Sequence, residues 1–320
     1  MMTAALAAAV LLALVAPHLM RLENVAPATG AAIWLANLSL RALTTVFAAL
    51  YVIFFVRVSD VFGLLTHWCW HAVVPVVTAH LPVNGHSLGN AATVLPAFVV
   101  AASLLSVAFG LWRAGRLVAA SVRRARLGRG PRESVIVEGP HVVVAAAGVA
   151  RPQVVVSAGA LTALDEQELA AGLDHERGHI ARGHRFVLLA AELFRGVGRF
   201  LPGTRVAARE LRFHLERDAD RWAVGRPNDP LALASAICKA SRHPLHSVSM
   251  TALSGGGAPR RVQQLLNGLG PARPPRPGLA SLLAASMVAL VLSLGAVLPA
   301  TTSAGVRLLA ADSSVHSCPD

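Results

Sequence analysis

LDHERGHIARGH, residues 173–184, gathers five histidines and acids into twelve residues of a chain in which only 14% of residues are charged. At its centre stands His175-Glu176-Arg177-Gly178-His179. Leu169, Leu173 and Ile180 keep roughly helical spacing through the stretch, and Asp165-Glu166 supplies acid at the helix start, where it complements the dipole. On such a helix, positions i and i+4 differ by about 40° of rotation, so His175 and His179 project side by side. Two imidazoles on one face can grip a zinc ion at about 2.0–2.1 Å. Glu176 lies about 100° round, beside the open coordination position. There it suits a general base that takes a proton from bound water and returns it to a leaving amine. With 13 His and 9 Glu in 320 residues, a chance HExxH is expected about 0.01–0.02 times.

Catalytic zinc normally has three protein ligands, so the reading depends on a third. HLERDADRWAV, residues 214–224, offers Glu216 and Asp220, again at i and i+4, on a second helix covering about 205–226. Glu216 would complete a His₂Glu site, and Asp220, one turn on, would accept the outer N–H of a ligand histidine and fix its tautomer. His214 borders this pair and is a candidate oxyanion stabiliser. His184 lies about 140° past His179 by helical rotation, off the ligand face, and carries no assigned role, as does Asp174. The alternative reading is two ordinary solvated helix faces, with Arg217 and Arg221 pairing the acids.

The rest of the chain points to a membrane. It is 54% hydrophobic with a mean hydropathy of +0.56, more apolar than a soluble domain requires. Four stretches approach the roughly 20 apolar residues that a span needs: about 3–20, 31–56, 92–112 and 279–299. The first lacks the basic start of a signal peptide and reads as a retained span. Seven arginines between Arg113 and Arg132 follow the third span. With no interleaved aromatics they read as an anchor on anionic lipid and exclude direct nucleic-acid binding, despite a net charge of +12. The positive-inside rule then sets an expected topology. Residues 1–112 hold three spans with an outer loop at 57–91, residues 113–278 form a cytoplasmic domain, 279–299 cross again, and 300–320 are an outer tail.

Within the cytoplasmic segment, SVIVEG (134–139), HVVVAA (141–146) and QVVVS (153–157) predict a small antiparallel sheet. QVVVS is a candidate sheet edge for binding extended substrate. Residues 186–202 carry Arg195 and Arg199 and predict an amphipathic helix. Asp229-Pro230 starts another helix, and Leu253–Gly270 reads as a Gly-rich, loosely helical connector. The three cysteines, Cys69, Cys238 and Cys318, read as unpaired thiols, a Cys69–Cys318 bridge being the alternative. HWCWH, residues 67–71, suits a membrane-interface belt better than a second metal site.

HERGH followed by Glu216-x-x-x-Asp220 resembles the gluzincin membrane zinc metallopeptidases. PQVVVSAGALTALDEQELAAGLDHERGHIARGH and LERDADRWAV resemble the BlaR/MecR-type family more than the HtpX-like family, which comes second. The resemblance implies a mainly α membrane protein, with four transmembrane helices and a cytoplasmic α+β zincin-like (gluzincin) peptidase domain. It also implies Zn²⁺ on His175, His179 and Glu216, Glu176 as the catalytic base, and a multi-pass location in a bacterial inner membrane. The protein substrate it suggests is a cytoplasmic DNA-binding repressor cut in regulated proteolysis. The large penicillin-binding domain of BlaR/MecR sensors has no counterpart here, so direct β-lactam sensing is not expected. An HtpX-like quality-control protease and a non-catalytic zinc-binding signalling protein are the competing readings. The intact Glu176 speaks against the last of these.

Overall fold

A computed structural model describes residues 2–19, 22–55, 85–149, 151–241, 251–252 and 257–267. The expected fourth span, the tail, most of the outer loop with HWCWH, and Cys69 and Cys318 lie outside the described residues. Those described are mostly helical with one small sheet. Helices α1 (Met2–Leu19) and α2 (Pro27–Phe55) are followed by α3 (Gly85–Arg124). The expected third span is therefore the middle of a longer helix, which continues into the basic cluster as far as Arg124 because arginine is a good helix former. Two helices among the described residues are long and apolar enough to cross a membrane, Pro27–Ala49 and Phe98–Arg124. On α3, Phe98, Leu105 and Phe109 are exposed. In α1 the segment Val10–Leu19 is a shorter apolar helix.

Arg41, the charge inside α2, is buried and fully engaged. It donates to Asn37 Oδ1 at 2.9 Å and to the Leu14 carbonyl at 3.1 Å, and also to the Pro202 carbonyl. A cation in an apolar run is tolerable when backbone carbonyls solvate it in this way.

The strands are β1 (Arg126–Arg129), β2 (Val135–Val137), β3 (Val144–Ala147), β4 (Gln153–Ser157) and β5 (Thr251–Ala252), ordered β1-β2-β4-β3-β5. The sheet is mixed, not antiparallel as expected, because β2 runs parallel to β4. Residues 138–143 carry the chain across β4 instead of turning back as a hairpin. Ser157 pins that crossing: its Oγ accepts from the Val143 N–H at 3.0 Å and donates to the His141 carbonyl at 2.6 Å. QVVVS, as β4, consequently lies inside the sheet, paired on both sides, and offers no free edge. β3 pairs with β5 on its other side.

After β4 come α4 (Ala158–Ala163), α5 (Glu166–Ala181), α6 (His184–Val197), α7 (Thr204–Val224), α8 (Pro230–Ser241) and α9 (Ala258–Leu266). The expected amphipathic helix is α6, which turns Val187, Leu188 and Phe194 onto a core made with α1, α2 and α7. A second core joins the sheet to α5, α8 and α9 through Val144, Val156, Leu173, Leu233, Ile237 and Leu265. Helix α7 walls both: Leu211 and Leu215 enter the first, Ala223 the second. Acidic side chains on α7 are therefore held between two packed layers.

Candidate metal centre

Helix α5 starts at a capping box. Asp165 accepts from the Glu168 N–H at 2.8 Å and Glu168 from the Asp165 N–H at 2.9 Å, so two orphan donors are satisfied reciprocally. Glu168 also takes Lys239 at 2.6 Å and Ser235 at 2.5 Å, tying α5 to α8. Burial alone would raise the Glu168 pKa, but these donors outweigh it and hold the carboxyl below its ordinary value. Asp174, left without a role by the sequence, is buried and ties the helix down by accepting from Arg132 at 2.8 Å and Asn228 at 3.0 Å.

Nearly three turns after the cap, His175, Glu176 and His179 are all buried, as is Glu216 of α7. This excludes the solvated-face reading. The two Nε2 atoms are 3.2 Å apart, and Glu216 oxygens lie 3.4 Å from His175 and 3.6 Å from His179. Two ligands of a tetrahedral ion with bonds of about 2.05 Å stand about 3.3 Å apart. The triangle therefore fits a single small ion, and two imidazoles with one carboxylate form the donor set of a catalytic zinc site.

Each histidine is braced from behind. His175 Nδ1 meets Asp220 Oδ1 at 2.9 Å, the contact expected from spacing. His179 Nδ1 meets His184 Nδ1 at 2.9 Å, and His184 Nε2 meets Asp218 Oδ2 at 3.2 Å. His184 thus departs from its expected idle position. Helix α5 ends at Ala181 and Gly183 takes a left-handed φ of 67°, so a rotation counted along one continuous helix no longer applies. Gly178, inside the HExxH, lets α7 come close: a Cβ there would sit 3.0 Å from the Trp222 side chain.

Glu176 is held by the sheet. The Ala146 N–H of β3 donates to its Oε2 at 2.7 Å. Its Oε1 is buried with no hydrogen-bond partner among the described residues. Burial, with help from the Glu216 charge, pushes the Glu176 carboxyl up to about 8. That lies in the range where a carboxylate can both take and give a proton near neutrality. Burial pushes His179 down to about 3. His175 goes the other way: burial would lower it, but Asp220 and Glu216 raise it to about 9.

Arg261 of α9 went unread in the sequence. Fully buried, it places Nη1 2.7 Å from Glu216 Oε2, and Nη2 and Nε 2.6 and 2.9 Å from the two Asp220 oxygens. Its Nη2 is also 3.5 Å from His175 Nε2. Against the penalty of burial, Arg261 and the histidines hold Glu216 down to about 2. His214 stands apart from this group. Its ring is buried against Gly30 of α2 and lies 3.4 Å from Arg217 Nη1.

Residues 111–265 match the family model described as peptidase family M48. The matched segment runs from the end of α3 to α9 and includes every residue of the group, Arg261 among them. The match supports a metallopeptidase, a hydrolase of peptide bonds, for this part of the chain. No curated protein matches the chain.

Proposed function

We propose that the protein is a zinc-dependent endopeptidase of a bacterial inner membrane. Its active site works at the cytoplasmic face, and its substrate is a cytoplasmic DNA-binding repressor cut in regulated proteolysis. The observation that carries the peptidase reading is the buried, unpartnered Oε1 of Glu176 beside the triangle of His175, His179 and Glu216. A structural metal site needs no such base and is usually closed by four ligands.

His175, His179 and Glu216 hold the metal. Zinc bound there would polarise the scissile carbonyl and lower the pKa of its water towards about 7. Glu176 takes the proton of the attacking water on Oε1 and delivers it to the departing amine nitrogen. The Ala146 N–H keeps that carboxylate aimed throughout. Asp220 holds the ring of His175, and Asp218 holds that of His179 by way of His184. The Arg261 guanidinium balances the two buried acids, so that Glu216 stays ionised.

The membrane reading is supported by the apolar length of α2 and α3 and by the exposed apolar side chains of α3. The test is a substrate trap. Full-length Glu176→Gln protein, expressed in its host and purified with bound proteins, is expected to retain one small DNA-binding repressor. Recovery of a broad set of membrane proteins would replace this reading with an HtpX-like quality-control protease. Undiminished proteolysis by the Glu176→Gln protein would end the peptidase reading itself.

A further inference from the structure

A second polar site lies on the opposite side of α7 from Arg261. A cleft of about 370 Å³ opens between the start of α2, the end of α5 and the last turn of α7, lined by Arg182, Asp218, Arg221, Trp222, Arg226 and Pro27 among others. Three guanidiniums face one carboxylate there. That carboxylate is already committed, since Asp218 lies 3.2 Å from His184 and 3.6 Å from Arg182. Arg221 acts on Asp218 through its charge, with no side-chain hydrogen bond to a described residue. Trp222 gathers the other two: Arg226 stacks 4.1 Å from its ring centroid and Arg182 5.6 Å. Arg226 also donates to the Trp222 carbonyl at 3.2 Å.

Helix α2 adds its own positive end. Ala26, before the first residue, has no side-chain oxygen to cap it, and the first turn contains no acid. Pro27 has no N–H, so the orphan donors of the turn are those that follow it, at Ala28 and Thr29. A 29-residue helix directs the equivalent of about half a positive charge towards this opening. Like charges gathered along one cleft favour an anion between them. A planar fork beside backbone N–H groups matches the oxygens of a phosphate.

We propose that this cleft is a binding site for a phosphate-class oxyanion, gripped by Arg182, Arg221 and Arg226 and by the N-terminus of α2. The cleft stands at one end of a helix long enough to cross a membrane, which is where a lipid headgroup would lie. Anionic phospholipid and a soluble phosphate ester present the same chemistry to it.

Two measurements separate these sources, both on full-length Glu176→Gln protein so that no substrate turnover intervenes. The first reconstitutes the protein in nanodiscs of phosphatidylglycerol or phosphatidylcholine and counts retained lipid by native mass spectrometry. The second titrates detergent-solubilised protein with glycerol 1-phosphate and with inorganic phosphate in a calorimeter. One retained phosphatidylglycerol, absent with phosphatidylcholine, identifies a headgroup site. One-site binding of a soluble phosphate without lipid retention identifies a soluble ester. In either case Arg221→Gln with Arg226→Gln should weaken binding at least about tenfold, the scale of one lost charge-assisted hydrogen bond. Arg221→Lys, which keeps the charge, should retain most of it and serves as the folding control. If neither ligand binds, or if binding is unchanged in the double variant, the proposal is wrong. Because the assay needs neither metal nor cleavage, that result would leave the peptidase reading untouched.

Discussion

Arg261 reaches across from α9 and closes a two-point contact on Asp220 of α7, with Nη2 at 2.6 Å and Nε at 2.9 Å from its oxygens. The third guanidinium nitrogen lies 2.7 Å from Glu216. One planar cation therefore neutralises both a metal ligand and the acid that orients another. Arg261→Ala would strip both buried carboxylates of their shared guanidinium and is expected to cost about 3–5 kcal/mol. Arg261→Lys should recover only part of that, because an ammonium cannot span three oxygens in a plane. Chemical unfolding of the three proteins tests this. A lysine variant as stable as the wild type would show that charge alone matters.

The ligand set predicts a separation of metal from chemistry. His175→Ala and Glu216→Gln should each lose zinc along with activity. Glu176→Gln should retain about one zinc per chain and lose at least about 100-fold in cleavage rate, the usual contribution of a general base. Metal content by mass spectrometry beside cleavage of a casein-type substrate reads both. Zinc that persisted in His175→Ala would move the site elsewhere.

His184 and Asp218 are expected to matter without touching metal. His184→Ala or Asp218→Asn frees the ring of His179 and should weaken zinc affinity by about 10–100-fold. Competition with a chromophoric chelator measures it. Affinity within twofold of wild type in both variants would make the 2.9 Å His179–His184 contact incidental packing.

Acid should loosen the start of α5. The folded pKa of Glu168 lies below its ordinary value of 4.5. The stabilisation from Lys239, Ser235 and the cap is therefore complete above that pH and is lost as pH falls through the lower folded value. The stability advantage of wild type over Glu168→Gln is expected to be constant near neutrality and to shrink below about pH 4.5. Paired urea melts across that range decide the point, and an advantage that grew on acidification would contradict the assignment.

The tightest part of the site was legible because it is local. His175, Glu176 and His179 sit within one helical turn, and Glu216 with Asp220 repeats the i, i+4 spacing on another, so periodicity alone predicts their shared faces. Arg261 was not legible. It stands on a short helix that follows a Gly-rich turn, and its partner is 41 residues away. His184 was misread because Gly183 ends the helix along which its angle was counted. The place of β4 inside the sheet escaped for a different reason. Val-rich runs announce strands, but their order depends on where residues 138–143 cross, and no local pattern encodes that. Composition likewise marked α2 as a span without showing that Ile33, Trp34 and Leu38 pack on α7.

The grip of β3 on Glu176 comes from a main-chain N–H, not from a side chain. Position 146 can accumulate substitutions over generations without releasing the base, since every residue except proline brings the same donor. Selection acting on this anchor would see the path of the strand rather than the letter at that site. A catalytic carboxylate fastened in this way is robust to drift at its nearest neighbour. It is vulnerable instead to distant changes that slide β3 by a fraction of its own spacing.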